Sequence, residues 1–481
     1  MHERKKNYKI ISNTMEKFDL VIIGNGAGAF AAAIRANELK ARTAMIGSGL
    51  PLGGTCVNVG CVPSKALIYA GEVLYRSKNH GISGIDLEIK KFDFQKVIQD
   101  ELALVERLRR EKYEKVLDHL KYVTFIEGKV HFLSPNEIGV NGQKFSAEKF
   151  IIAAGSTATI PPIENIREVG FITHIEALKL KKQPKELIVV GAGPLGLEFS
   201  QMYARFGTRV TILQRGSSIF PLAEKELTDR LSEILIREGI TVKTNVEVKS
   251  SRKEDDKKIL LYIINNKQEE VAGDEILLAT GKIPNTQGLG FDRAYVEINE
   301  KQAIMVNQFY QTSQSHIFAI GDIVSLPLRL EPTAGHEGTL AAENALNGSK
   351  KSIDYDSVPY TIFTDPQLAG VGLTEDEQMK KMGVCACRTV SFADVPKAII
   401  MRQMEGLIKM AIHPQTKQIT GVHILAPQAG ELIVEAMILI KNKNTIDDVT
   451  NSLPMFPTLS EAIKIVALSF TKDISKLSCC I

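Results

Sequence analysis

Two short stretches constrain this chain more than anything else in it. Near the start, the apolar run Phe18–Ile23 leads into Gly24-Asn25-Gly26-Ala27-Gly28-Ala29 and then into the alanine-rich FAAAIRANEL. Further on, the apolar LIVV leads into Gly191-Ala192-Gly193-Pro194-Leu195-Gly196 and then into LEFSQMYARFG. Each reads as a buried parallel strand, a tight glycine turn and a helix. In that context a G-x-G-x-x-G/A turn lets a pyrophosphate approach the backbone and rest on the helix N-terminus. Two such units predict an α/β chain with two Rossmann-like dinucleotide-binding domains and two dinucleotides.

The strand after the first turn, Arg42–Ile46, should end on an acidic residue for the adenosine ribose, and Gly47 stands there instead. The strand after the second, Arg209–Leu213, ends in Gln214-Arg215. A missing acid with an arginine beside it favours the 2′-phosphate of NADP over the free hydroxyl of NAD. A solvated surface arginine is the alternative.

The chain has 481 residues, enough for two to four domains. Its net charge of +3 gives no reason to expect nucleic acid as a partner. No apolar run approaches the roughly 20 residues of a membrane span. The opening MHERKKNYKIISNTMEKFDL lacks the apolar core of a signal peptide, so a cytoplasmic location is expected. Residues 1–16 read as a loose extension, with Met15 a second candidate start. Six cysteines in this length do not make a disulfide scaffold and point to catalytic or metal-binding use in a reducing compartment.

Cys56 and Cys61 stand in GGTCVNVGCVPSK, between a Gly-Gly turn and Pro-Ser-Lys. At the start of a helix they would lie little more than one turn apart, within disulfide reach. A helix N-terminus also favours the thiolate. Two structural cysteines, or half of a zinc site, are the other readings, although no further Cys or His stands nearby at zinc spacing. The full run resembles the redox-active segment of the flavin disulfide reductases. Two later stretches carry the same resemblance: LLATGKIPN at Leu277–Asn285 is similar to the turn closing the pyridine-nucleotide domain, and HIFAIGD at His316–Asp322 to the second FAD motif. From Tyr355 onward the mixed strands and helices are similar to the domain through which these reductases dimerise.

That resemblance, from about Phe18 to the C-terminus, implies FAD and NADPH as cofactors and a homodimer. It implies an FAD-binding domain at 17–158 and 283–356, an NADPH-binding domain at 159–282 and an α+β dimer-interface domain at 357–481. The cofactor-binding positions it marks are Gly24, Gly26, Ala29, Thr55, Lys65, Gly155, Gly191, Gly193, Gly196, Arg215, Gly281 and Asp322. A helix-capping Asp322 is the plain alternative. Lys65 lies one helical turn after Cys61, and the resemblance pairs it with Glu198 beside the flavin; an ordinary surface pair is the alternative. Cys61 would be the flavin-proximal thiol and Cys56 the outer one.

Two departures narrow the reading. Reductases of disulfide substrates carry His-Pro-Thr-x-x-Glu where this chain has Phe456-Pro457-Thr458-Leu459-Ser460-Glu461. Phenylalanine cannot transfer the proton that a leaving thiolate needs. The chain also ends in Ser478-Cys479-Cys480-Ile481, where adjacent thiols on a tail suit a soft metal ion better than a disulfide. With CVNVGCVPSK, these features resemble the mercuric reductase family, which implies reduction of Hg(II) to Hg(0), with Hg(II) delivered by the partner subunit's tail. Cys56, Cys61, Cys479 and Cys480 are then the metal ligands, and Tyr113, in LRREKY, matches a tyrosine the family places near the metal. The alternatives are a lipoamide dehydrogenase or other disulfide reductase, and a thiol protein that sequesters mercury without turnover. Cys385 and Cys387 form Cys-x-Cys in a strand-like stretch: they share a face, and are either packed or able to bind one ion.

Overall fold

The computed structural model of the chain describes residues 15–478; Cys479 and Cys480 lie outside the described residues. The first apolar run forms the strand Glu16–Ile23, with Leu20, Val21 and Ile22 fully buried. Burial on both faces explains why the run is apolar without alternation. It pairs in parallel with Thr43–Gly47 on one side and with Gln143–Ile152 on the other. The stretch from Val123 to Ser134 forms two strands, Val123–Glu127 and Val130–Ser134. The chain turns at Gly128, where a Cβ would meet the Asn141 side chain at 2.5 Å.

The chain divides into two compact units. Among the described residues the first comprises 15–58, 107–157 and 283–353. Its sheet runs Val123–Glu127, Thr43–Gly47, Glu16–Ile23 and Gln143–Ile152. Beyond the last strand, Ile317–Ala319 pairs in parallel, and Glu137–Val140 and Val130–Ser134 continue antiparallel. The helix Ala27–Glu38 packs against Glu331–Asn347 at very close range, because a Cβ on Gly338 would stand 2.2 Å from the Gly28 carbonyl oxygen.

The second unit comprises 59–106, 158–282 and 354–478 of the described residues. It holds a four-stranded parallel sheet in the order Thr241–Lys243, Arg209–Leu213, Glu186–Val190, Glu275–Leu278. A three-stranded antiparallel sheet, Glu247–Glu254, Lys257–Ile264 and Lys267–Gly273, is inserted in sequence between its strands Thr241–Lys243 and Glu275–Leu278. The C-terminal part is a five-stranded antiparallel sheet in the order Tyr360–Ile362, Gln367–Gly372, Ile419–Ala426, Leu407–Ile412, Ala386–Ser391. The helix Glu461–Leu468 is buried along its whole length. The fold is mixed α/β with two dinucleotide-type domains and an antiparallel-sheet C-terminal domain. Among the described residues no helix is long and apolar enough to cross a membrane.

Candidate active site and dinucleotide turns

The three small residues of each turn have different duties. In the second turn Gly191 sits at φ +106°, and a Cβ there would stand 2.5 Å from the Ala279 carbonyl oxygen. A Cβ on Gly196 would stand 2.0 Å from the Gly191 carbonyl oxygen, so this glycine lets helix and strand close together. Gly193 has an ordinary φ of −79° and nothing within 4 Å of an added Cβ. No protein atom requires a glycine at 193; the space its missing side chain leaves fits a pyrophosphate at the helix N-terminus. No side chain caps the helix Pro194–Arg205 at Gly193, so its first N–H groups are available to an anion.

The first turn repeats the division. Gly24, at φ +139°, would place a Cβ 2.2 Å from the Ala153 carbonyl oxygen, while Gly26 has only the Gly54 Cα near it, at 3.9 Å. Ala29 replaces the third glycine and is fully buried. At Gly47 a side chain would collide with Asn25, 2.7 Å from its Cβ. Asn25 itself donates to the Leu50 carbonyl at 2.8 Å. The place of the expected acidic ribose ligand is therefore taken by an asparagine from the first turn.

Gln214 likewise turns inward: its Oε1 accepts from the Ala192 N–H at 3.1 Å, and its Nε2 donates to the Ser218 carbonyl at 3.1 Å. Arg215 follows it, exposed. At the same C-terminal end of the first unit's parallel strands, Ser156 donates to Asp322 Oδ2 at 2.6 Å. Buried Glu337 accepts from the Gly321 N–H at 2.7 Å and fixes the turn carrying Asp322. Gly155 is held through its carbonyl by the Asn285 N–H at 3.0 Å, and Asn285 Nδ2 donates to Ala154 at 2.9 Å. Gly281 sits at φ +99° in the second unit, its carbonyl accepting from the Thr159 N–H at 3.0 Å.

The cysteine segment rests on the first turn. Gly53 donates its N–H to the Asn25 carbonyl at 2.9 Å, and a Cβ on Gly54 would stand 2.6 Å from the Gly26 Cα. Both glycines have positive φ, +90° and +60°. The expected single helix is two: Gly54–Val59, carrying Thr55 and half-buried Cys56, and Cys61–Arg76, opened by exposed Cys61. Gly60 interrupts them at φ −130°, ψ −114°, a conformation outside the helical region.

Asn58 is a positioning residue that the motif alone does not mark. Its Nδ2 donates to the carbonyls of Gly54 at 2.8 Å and Leu52 at 3.0 Å, and its Oδ1 accepts from Arg109 at 3.3 Å. Tyr113 lies one turn beyond Arg109, where the helical stretch from Phe94 to His119 widens into a π-helical turn over Arg110–Glu114. Such turns recur at functional sites. Here the widening accompanies a tyrosine packed edge-on to Phe30, 5.0 Å between ring centres. A Cβ on Gly53 would lie 2.9 Å from the Tyr113 ring.

In the second unit, Lys65 Nζ pairs with Glu198 Oε2 at 2.7 Å and lies 4.7 Å from the centre of the Phe363 ring. Glu198 Oε1 accepts the Phe363 N–H at 2.9 Å. Glu198 is 5% exposed, which excludes an ordinary surface pair. Gln201, one turn on, holds both the N–H and the carbonyl of Asp365, at 2.7 and 2.8 Å. Arg205 adds ion pairs to Asp365 at 3.0 Å and Glu238 at 2.8 Å.

Phe456 is exposed, beside exposed Met455. The carboxylate of Glu461 accepts from the Thr458 N–H at 2.9 Å, so it braces the loop rather than orienting an imidazole.

The family described as "Pyridine nucleotide-disulphide oxidoreductase" matches residues 18–346, and its dimerisation domain matches residues 358–467. A mercuric reductase of Lysinibacillus sphaericus is 36% identical over 466 residues, covering 97% of this chain and 85% of its own length. One of Streptomyces lividans is 35% identical over 471 residues, covering 96% and 98%. Among solved structures, the HOCl-induced flavoprotein disulfide reductase RclA from Escherichia coli matches with a TM-score of 0.84 at 26% identity, covering 94% of this chain and 100% of that one. Its Cu(II) complex matches with a TM-score of 0.85.

Proposed function

This chain belongs to the pyridine nucleotide-disulphide oxidoreductase family, and on that footing we propose that it reduces Hg(II) to Hg(0) with NADPH, as a homodimer. The observation that carries the reading is the loop Leu453–Glu461. Phe456 stands where a disulfide reductase needs a proton donor, and Glu461 is engaged with the Thr458 N–H. A metal ion needs no such donor, because it is released as a neutral atom and no substrate S–S bond breaks to give a leaving thiolate. The 36% identity to a mercuric reductase supports the same substrate.

Bound FAD and NADPH supply the two-electron chemistry. The first turn, with Thr55, Gly155 and Asp322, holds the flavin nucleotide in a domain at 17–158 and 283–356. The second turn, with Gly281 and the Arg215 charge on the 2′-phosphate, holds NADPH in a domain at 159–282. The remainder, 357–481, is the dimer-interface domain. Lys65 is oriented by Glu198 and keeps a positive charge beside the flavin edge. Cys56 and Cys61, as thiolates, displace the ligands that Hg(II) arrives with and hold it two-coordinate, with Tyr113 alongside. Cys479 and Cys480 of the partner subunit deliver the ion by thiolate exchange. Two electrons reduce the held ion to the neutral atom and return both thiolates.

Purified protein should oxidise NADPH in the presence of Hg(II) and release volatile mercury. Turnover with lipoamide or another disulfide in place of Hg(II) would return the reading to a disulfide reductase. Cu(II) belongs in the same assay, because a Cu(II) complex of a structurally similar reductase exists.

A further inference from the structure

Away from the dinucleotide turns and the Cys56–Cys61 segment, one cluster among the described residues joins soft and hard donors. Cys385, Cys387 and Glu375 each bring a ligand atom within 4.8 Å of the others, all three half-buried. The two cysteines are joined as a disulfide, with Cα atoms 6.2 Å apart.

The surrounding structure fixes each donor. Glu375 opens the helix Glu375–Met382, and its Oε2 pairs with buried Lys409 at 2.6 Å. Lys409 is also paired with Glu224 at 3.1 Å and Glu226 at 3.2 Å, so three carboxylates share one ammonium and the patch keeps an excess of negative charge. On the strand Ala386–Ser391, Thr389 stands opposite Lys409 and Cys387 opposite Ala411. Alternation puts Cys387 on the same face as Thr389, whose hydroxyl donates to Glu226 at 2.8 Å. Fully buried Gln378 donates to the Val384 carbonyl at 3.3 Å and the Ile412 carbonyl at 2.8 Å, tying the residue before Cys385 to the neighbouring strand.

We infer that Cys385, Cys387 and Glu375 form a second cation site, in the C-terminal sheet domain, that takes a thiophilic divalent cation when the cysteines are reduced and is closed when they are joined. Two thiolates and a carboxylate suit a d10 cation such as Zn(II) or Cd(II), with water completing four-coordination. An external dithiol opens the Cys385–Cys387 bond by giving two electrons and two protons, and leaves as its own disulfide. Cation binding then displaces the two thiol protons to solvent. The site is independent of the reading of Cys56 and Cys61 as a mercury-reducing pair.

The test uses the full-length holoenzyme and Cd(II) as probe. Reduced protein is equilibrated with Cd(II), desalted and assayed for bound metal, beside Cys385→Ser/Cys387→Ser and Glu375→Gln. The unsubstituted protein should hold about one Cd(II) per chain more than the double variant, and should lose that ion after diamide oxidation. Glu375→Gln should weaken this ion's binding about tenfold. A second measurement needs no variant: Cd(II) should protect Cys385 and Cys387 of the unsubstituted protein from iodoacetamide, read by peptide mass spectrometry. Equal metal content in unsubstituted protein and double variant, or full alkylation of Cys385 and Cys387 in saturating Cd(II), would overturn the proposal.

Discussion

Lys65 and Glu198, 133 residues apart in sequence, meet as an ion pair at 2.7 Å, and the same carboxylate accepts the Phe363 N–H. One buried acid therefore serves both the helix after the cysteines and the start of the C-terminal sheet domain. Glu198→Ala strands the Phe363 N–H and returns a partly exposed Lys65 to solvent, at a cost of about 2 kcal/mol. Glu198→Gln keeps an acceptor for Phe363 and should cost about half of that. Thermal unfolding of the two variants separates the contributions; equal losses would mean that the Phe363 contact carries nothing.

Cys56→Ala and Cys61→Ala should each abolish Hg(II)-dependent NADPH oxidation. The flavin should remain bound in both, since in the proposed reading it is held mainly by the Gly24–Ala29 turn and by Asp322. Absorption spectra and NADPH consumption together check this, and near-normal turnover in either variant would sink the mechanism.

Removing the charge of Arg215 should raise the KM for NADPH about tenfold more than the KM for NADH, because only NADPH carries a 2′-phosphate. Gln214 is engaged with the Ala192 N–H and is no substitute ligand. Equal changes for the two nucleotides would move the preference elsewhere.

Glu101 is buried with neither carboxylate oxygen hydrogen-bonded. Burial raises its pKa from the usual 4.5 to about 7, opposed by the charge of Lys179. A carboxyl with a raised folded pKa holds its proton more tightly when folded. Its contribution to stability is thus full below about 4.5 and is lost as pH rises toward about 7. Glu101→Gln should gain on the order of 2 kcal/mol over the unsubstituted protein at pH 8, with the difference shrinking at pH 5. Urea unfolding at the two pH values measures it, and parallel pH profiles would refute it.

Truncation after Ser478 should slow turnover most when mercury is offered with bulky or tightly held thiols, and least with bromide. Mixing a tail-less subunit with a Cys56→Ala subunit tests delivery across the dimer. The intact tail then belongs to the subunit with the dead site and reaches the intact Cys56–Cys61 site, so activity with thiol-bound mercury should return. Heterodimers as inactive as their parents would exclude delivery from the partner.

Much of the fold was legible because its signals are local. The strand Glu186–Val190 ends at Gly191, and Arg209–Leu213 begins two residues after Gly207; both glycines have positive φ, and the chain bends where they stand. The break at Gly60 was not legible, because Gly54–Val59 and Cys61–Arg76 are each acceptable as parts of one helix. The clamp of Gln201 and Arg205 on Asp365 is not legible for another reason: its partners stand 164 and 160 residues away, beyond any spacing rule. Glu375 is hidden in the same way, since nothing in the sequence near Cys385 marks a carboxylate ten residues back as a neighbour. Asn58 carries a weak signal, a lone amide in an apolar stretch, which gains meaning only once its three carbonyl partners, Pro51, Leu52 and Gly54, and Arg109 are seen.

The helix Pro194–Arg205 has a mechanical consequence. Its 12 residues make a strut of about 18 Å. The strut starts at the uncapped nucleotide turn, and along its length Glu198, Gln201 and Arg205 grip Phe363 and Asp365. A strut held at successive turns by one short segment cannot tilt or slide at its nucleotide end without dragging that segment. Within this unit, a push of a few tenths of an ångström at Gly193 is therefore transmitted as displacement of the chain entering the C-terminal sheet, with little slack to absorb it.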